Sequence, residues 1–251
     1  MTYETIYGEF LKEVNAIKDH SVDLLIMRTP SNVMDLIKPP GIQKECVDPT
    51  FEKQIERILK PEGLWIQFGS LTAVQDIIWS LFEFEMHWFH VWQIPLTKPT
   101  SNRYPVPDIE HIAIYKLRET PSSRLTFNPL VLYPGNQSGD SDVWLNKSDT
   151  APSEHSWIPT LLQATDFLKS SSPSDANLIL SPPISILRTL IRVYSNPGDL
   201  VVDPFGNNGD SLVAAKIERR NSIIIESDPR LCEIAKNRIS AGTPQGNLFS
   251  S

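Results

Sequence analysis

An α/β fold with one mostly parallel sheet is predicted for this chain of 251 residues, and three observations predict it. Short apolar runs of strand length, residues 22–27 and 64–68 among them, alternate with segments whose apolar positions recur at helical spacing. The run at 22–27 is apolar with little alternation, the pattern of a strand covered on both faces. Near the end, an apolar strand enters Asp203-Pro204-Phe205-Gly206-Asn207-Asn208-Gly209, and a helical pattern through Leu212, Val213, Ala214, Ala215 and Lys216 follows. A strand, tight turn and helix in that order bring backbone N–H groups and a helix N-terminus up to a ligand.

Residues 3–7 read as a strand and 9–17 as a helix, with Phe10, Leu11, Val14 and Ile17 on one side. After the strand at 22–27, residues 28–49 hold four prolines and little periodicity, so they form a loop. An amphipathic helix over 51–59 stops at Pro61-Glu62-Gly63, and the strand 64–68 follows. Residues 72–82 form a helix that buries Val74, Ile77, Ile78 and Leu81. Two strands, 86–93 and 111–116, are expected as antiparallel neighbours at a sheet edge. Alternation over Phe84, Met86 and Trp88 marks one buried strand face, a simpler reading of these aromatics than base stacking.

Residues 117–176 are rich in Ser, Pro, Asn, Gly and Asp. A structureless loop of that length is uncommon inside a compact domain, so they form a peripheral insertion, irregular or with small elements of its own. Regular structure resumes with helix 184–194, strand 199–202, helix 210–219, strand 223–226 and helix 229–239. Residues 241–251 form a flexible tail.

Bulk composition narrows the function. A chain with 40% hydrophobic residues buries one sizeable core. No apolar run approaches the ~20 residues that cross a bilayer, and Met1-Thr2-Tyr3-Glu4 does not open a signal segment. A cytoplasmic protein with no membrane partner is expected. Cys46 and Cys232 have no redox or metal spacing, and His87, His90 and His111 have no ligand spacing, so no metal is assigned. A net charge of −7 argues against a surface that wraps nucleic acid unaided, although a local basic groove or a partner's surface would change that. Lys98, Arg103 and Lys116 are few and dispersed and read as ordinary surface charge.

Ligands of open α/β sheets bind outside the carboxyl ends of the strands. The turns after Met27, Phe68, Val202 and Glu226 therefore surround one crevice. Glu226 ends a strand, where a carboxylate is placed to hold a ribose, so an adenosine-type cofactor is expected. On the residues alone, Asp203 and Gly209 also fit any strand-ending turn, and Glu226 any solvated strand end.

Several segments together carry a resemblance. Residues 183–199, followed by Asp203-Pro204-Phe205 and by Ile225-Glu226-Ser227-Asp228-Pro229, closely resemble DNA amino-methyltransferases of the β class. Residues 57–63, Asn102-Arg103 and Glu110-His111-Ile112 resemble further segments of that family. Its members methylate adenine N6 or cytosine N4 with S-adenosylmethionine. The resemblance implies a Rossmann-like S-adenosylmethionine-dependent methyltransferase fold in circularly permuted order. Its catalytic half would be 1–116 and its cofactor half 177–240, with 117–176 where the family keeps target recognition. It implies a cofactor site of Gly8, Glu9, Asp203, Pro204, Phe205, Gly206, Gly209 and Glu226.

The departures from the family pattern matter most. The family's catalytic Asp/Asn/Ser-Pro-Pro-aromatic segment is replaced by Arg28-Thr29-Pro30-Ser31. Methyl transfer to an exocyclic amine needs an acceptor on the amine's N–H and an aromatic face for the extruded base. Arginine is donor-only and permanently charged, and serine has no π surface. Arg28 is left to contact phosphate or to pair with a nearby carboxylate. Asn207 replaces the middle glycine of the cofactor turn but is a residue that tolerates left-handed geometry. Asp210-Ser211 replaces a hydroxyl pair, bringing a negative charge, and Pro182-Pro183 stands where a Lys-Pro helps close the site.

These substitutions imply a family member that has lost catalysis. It would serve as a structural, regulatory or DNA-positioning subunit beside a second methyltransferase-like chain or a copy of itself. Two alternatives stand beside this reading. One is an active enzyme with a displaced acceptor, supplied by Asp35, Glu45 or Asp48. The other is a protein-interaction module with a closed cofactor pocket.

Overall fold

The computed structural model describes residues 1–28, 49–93, 109–128, 161–163 and 182–240. Within them the chain runs β1 (Tyr3–Tyr7), α1 (Phe10–Glu13), β2 (Val22–Arg28), α2 (Pro49–Ile58), β3 (Leu59–Gly69), α3 (Leu71–Ser80), β4 (Phe84–Gln93) and β5 (Ile109–Leu117). It continues with β6 (Leu161–Gln163), α4 (Ile184–Tyr194), β7 (Leu200–Asp203), α5 (Asp210–Ile217), β8 (Asn221–Glu226) and α6 (Pro229–Ser240). The strands form one sheet in the order β1-β8-β7-β2-β3-β5-β4-β6. Neighbours from β1 through β3 are parallel. The β3–β5 and β5–β4 pairs are antiparallel, as expected for an antiparallel edge. β6, from within 117–176, pairs with β4 in parallel. β7 and β8 come last among the strands but lie between β1 and β2.

Alternate side chains of the strands enter two apolar layers. Leu24, Ile26, Leu64, Ile66, Phe68, Ile112, Ile114 and Val201 pack with Leu187, Leu190 and Ile191 of α4 and Ala214 and Ala215 of α5. On the opposite face Leu25, Met27, Trp65, Ala113, Tyr115, Val202 and Ile225 meet Phe10, Val14, Phe51, Ile55, Ile58, Val74 and Ile77. Helices thus cover both faces, the condition that makes parallel strands apolar throughout. Among the described residues, no helix is long and apolar enough to cross a membrane.

Helix ends follow local chemistry. Pro49 opens α2, where its missing N–H leaves no helix hydrogen bond unmade. Ser70 caps α3, its side chain accepting from the Ala73 N–H at 3.2 Å.

Four expectations are corrected. The helix expected over 9–17 is one α-turn, Phe10–Glu13, followed by a 3-10 turn, Val14–Ala16, because the chain must reverse at 18–21 to enter β2. β3 begins at Leu59, not at 64; Leu59 pairs with Val22, and a register shift absorbs the proline and glycine that follow. Phe84, Met86 and Trp88 do not share one buried face. A register shift between Met86 and Trp88 interrupts the alternation, so Phe84 is buried in one layer, Trp88 packs against the other and Met86 is 49% exposed. Lys116 is not surface charge: it is buried, with Nζ 2.6 Å from Glu85 and donating to the Thr120 carbonyl at 2.8 Å. Lys98 and Arg103 lie outside the described residues.

Phe51 ties α2 to the rest of the fold, with ring centroids 5.1 Å from Phe10, 6.4 Å from Trp65 and 6.0 Å from Phe205. Phe51→Ala removes the centre of this cluster and should destabilise the fold by about 3–5 kcal/mol, measured by urea unfolding.

Candidate cofactor and target site

Strand register places four charged residues along one rim of the sheet and on one face, three at the carboxyl ends of β7, β8 and β2 and the fourth, Glu110, at the amino end of the antiparallel β5. Leu24 pairs with Val201, so Asp203 shares the face of Leu24, Ile26 and Arg28. Asp203 pairs with Ile224, which puts Glu226 on that same face one step further out. Phe68 pairs with both Arg28 and Ile112, and Glu110 follows the alternation of Ile112 and Ile114. Asp203, Glu226, Arg28 and Glu110 therefore share one rim, above the layer that α4 and α5 cover.

The turn after β7 is held from several directions. Asp203 is buried; it accepts from the Phe205 N–H at 2.9 Å and from the Ser211 hydroxyl at 2.6 Å. Burial pushes its carboxyl up to about 7, against the two hydrogen bonds, which favour the charged form. Pro204 is buried behind it, and Phe205 stacks on Phe51 at an interplanar angle of 15°. Gly206 donates to the Ile225 carbonyl at 2.8 Å, and a Cβ there would come within 2.7 Å of the Ile224 side chain. Gly209 adopts φ +84°, where a side chain is strained and would also meet Ala235 at 2.8 Å.

Asn207 holds the left-handed conformation expected of it, φ 47°. Its N–H donates to Glu226 Oε2 at 2.7 Å, while Glu226 Oε1 accepts from the Asp228 N–H at 2.7 Å. The acidic end of β8 thus pins the turn after β7. Gly8, at φ +151°, donates to the Glu226 carbonyl at 3.0 Å, and a Cβ there would overlap the Glu13 side chain. Glu9 pairs with Lys12 at 2.9 Å on the surface.

Two residues at this site were not expected from the sequence to act as charge partners. Asp210, expected to bring a bare negative charge, meets Arg238 at 2.7 Å, and the same guanidinium donates to the Asn208 carbonyl at 2.8 Å. Arg238 lies in the last turn of α6, and its sequence position carries no signal of this contact. The other is Glu110. Arg28 Nε donates to its Oε1 at 2.7 Å, with the Glu110 side chain 4% exposed and that of Arg28 20%. Of the two fates open to Arg28, pairing with a carboxylate is the one found. A signal for Glu110 existed: it is a carboxylate in register with the core-facing Ile112 and Ile114. Thr29, Pro30 and Ser31, and the candidate acceptors Asp35, Glu45 and Asp48, lie outside the described residues.

Basic side chains also converge elsewhere. A groove of about 410 Å³ lined by Arg188, Arg192, Arg219 and Arg220 lies at the amino end of β7, away from the cofactor turn. Arg188 and Arg192 share Glu218, at 2.7 and 3.6 Å. Among the described residues, no group of three or more His, Cys, Asp and Glu is arranged to hold a metal.

The parallel sheet, the glycine-rich turn after β7 and the acidic end of β8 define the Rossmann-like methyltransferase class. More narrowly, the model of a family described as DNA methylase, the N6/N4 methyltransferases, matches residues 50–237, and the chain belongs to that family. It is similar to the type II methyltransferase M.MjaI of Methanocaldococcus jannaschii, 27% identical over 222 residues covering 79% of this chain and 68% of that one. It is also similar to the type II methyltransferase M.MthZI of Methanothermobacter thermautotrophicus, at 21% identity over 95% of this chain and 77% of the relative. Among solved structures, the M1.HpyAVI–SAM complex aligns with TM-score 0.66 and 18% identity over 94% of this chain and 98% of that one. The cytosine-N4-specific PvuII DNA methyltransferase aligns with TM-score 0.66 and 18% identity over 100% of this chain and 89% of that one. Both structural likenesses show the shared fold.

The raised pKa of Asp203 has a pH signature. The folded chain binds this proton more tightly than the unfolded chain, so the contribution favours the fold at low pH. It is lost as pH rises from the ordinary value of 3.8 to about 7. Asp203→Asn removes that dependence. Its melting temperature should gain on the wild type as pH rises through this window, read by circular dichroism.

Proposed function

We propose that this chain is a DNA methylase-family subunit that holds S-adenosylmethionine and engages DNA but has lost methyl transfer. The observation that carries the reading is the Arg28–Glu110 ion pair at the carboxyl end of β2, where the family keeps the acceptor for the target amine. Arg28 has only donors and cannot accept an amine N–H. Thr29, Pro30 and Ser31 supply no aromatic face, and base stacking on such a face is worth about 1–3 kcal/mol. In other active sites, loss of one positioned polar group costs roughly 10²–10³ in rate.

The residues around the turn fit the cofactor. Gly206 and Gly209 let the turn pack closely on Ile224 and Ala235, which a Cβ at either would strike, and beside them the buried Asn208 Oδ1 has no partner among the described residues. Glu226 would hold the ribose hydroxyls on lone pairs that the two backbone N–H groups leave open. Asp203 would face the cationic methionine end, while Gly8 and Glu9 would border the adenine. Bound S-adenosylmethionine supplies an electrophilic methyl group on a sulfonium. Because Glu110 neutralises Arg28, the cation at the motif position does not count against holding that sulfonium.

A DNA-positioning role beside a catalytically complete methyltransferase, or in a pair of identical chains, accords with these features. On this reading, calorimetry detects S-adenosylmethionine binding, while labelled cofactor transfers no methyl group to duplex DNA from the chain alone. Glu226→Gln should weaken cofactor binding about tenfold, ~1.4 kcal/mol, and also lower the unfolding midpoint, because the amide NH2 meets one of the two backbone N–H groups that the carboxylate accepts. Methylation of DNA by the isolated chain would sink the proposal. Absence of both binding heat and thermal shift would point instead to an interaction module with a closed pocket.

A further inference from the structure

Glu110 is buried, yet among the described residues only one of its two carboxylate oxygens has a partner. Oε1 accepts from Arg28 Nε, whereas Oε2 is buried with no hydrogen bond among those residues. An orphaned buried acceptor carries its full desolvation cost, more so when charged. Arginine–carboxylate pairs are frequently bidentate, with two parallel N–H groups of the guanidinium fork satisfying both oxygens. Arg28 instead donates through Nε, and among the described residues its two terminal nitrogens have no hydrogen-bond partner. An open acceptor and open donors therefore stand side by side at the strand ends, on the face shared with Asp203 and Glu226.

The geometry points to Arg28 and Glu110 as a pair that reads the edge of an extruded, amine-bearing nucleobase. Glu110 Oε2 accepts from the exocyclic N–H of cytosine or adenine, and the Arg28 fork donates to the ring nitrogen beside that amine. Carboxylates accept from the cytosine amine in other nucleic-acid complexes. This inference rests on the reading of the chain as a DNA-engaging family member, and it names what the altered motif position still recognises. Glu110 becomes a specificity-determining residue on β5, a different strand from the one that carries the family's acceptor.

The test uses the full chain with saturating S-adenosylmethionine, so that adenine cannot occupy the cofactor site. Fluorescence anisotropy compares short single strands of dC or dA with the same strands doubly methylated on every exocyclic amine. Single strands present the base without the cost of extrusion. The wild type should bind at least one unmodified strand roughly tenfold more tightly than its dimethylated counterpart. Glu110→Gln, which keeps an oxygen for Arg28 but turns a donor toward the amine, should bring the two affinities together, any effect of the unneutralised Arg28 cation falling equally on both strands. A merely structural role would weaken both strands together. Equal wild-type affinity for unmodified and dimethylated strands, or no binding of any strand, overturns the inference without recourse to a variant. Transfer of labelled methyl to an unmodified strand would instead sink the non-catalytic reading and leave the base preference standing.

Discussion

Strands β2, β7 and β8 are buried on both faces, and this constraint organises the molecule. Leu24, Leu25, Ile26, Met27, Val201, Val202, Ile224 and Ile225 are at most 1% exposed, so these strands have little room for polar side chains along their length. Polar chemistry is pushed to their carboxyl ends, where helices no longer cover the sheet. Asp203, Glu226 and Arg28 each sit at such an end. The rim is thus a product of the core: residues that cannot be buried in the sheet are collected where a ligand approaches.

At that rim, negative groups are distributed to build a turn and not merely to line a pocket. Glu226 accepts two backbone N–H groups, one of them from Asn207, so the end of β8 sets the turn after β7. Asp203 is buried deeply enough to hold its proton to about pH 7, and Ser211 returns one hydrogen bond to it. Arg238 reaches from α6 to cancel Asp210 and to bond the carbonyl of Asn208. Substitutions that look damaging one at a time are compensated by neighbours in space, and the turn retains its form.

The target side differs. Arg28 and Glu110 neutralise each other across β3, which removes the electrostatic objection to a cation there. It does not restore an acceptor on β2. The open oxygen belongs to β5, two residues from the core-facing Ile112, and so faces the rim from a different strand. In the function proposed above, ligand recognition and methyl transfer are separable, because hydrogen-bonding capacity sits on β5 and arginine ends β2.

Much of this was legible in the residues. The apolar runs, the glycine-rich turn and the acidic strand end announced a doubly covered parallel sheet with its ligand crevice, because burial and backbone geometry leave local signatures in residue type. The shortened helix at 10–13, the early start of β3 and the interrupted face of β4 were hidden, since chain reversals and register shifts are set by the partner strand. The four-aromatic contact of Phe51 with Phe10, Trp65 and Phe205 likewise spans distant segments. By itself, then, the sequence determined the class of fold, the place of the glycine-rich turn after β7 and the arginine that ends β2. Only the tertiary structure decided what neutralises Arg28 and Asp210, because Glu110 and Arg238 lie far away in the chain and reach them only through strand register and helix packing.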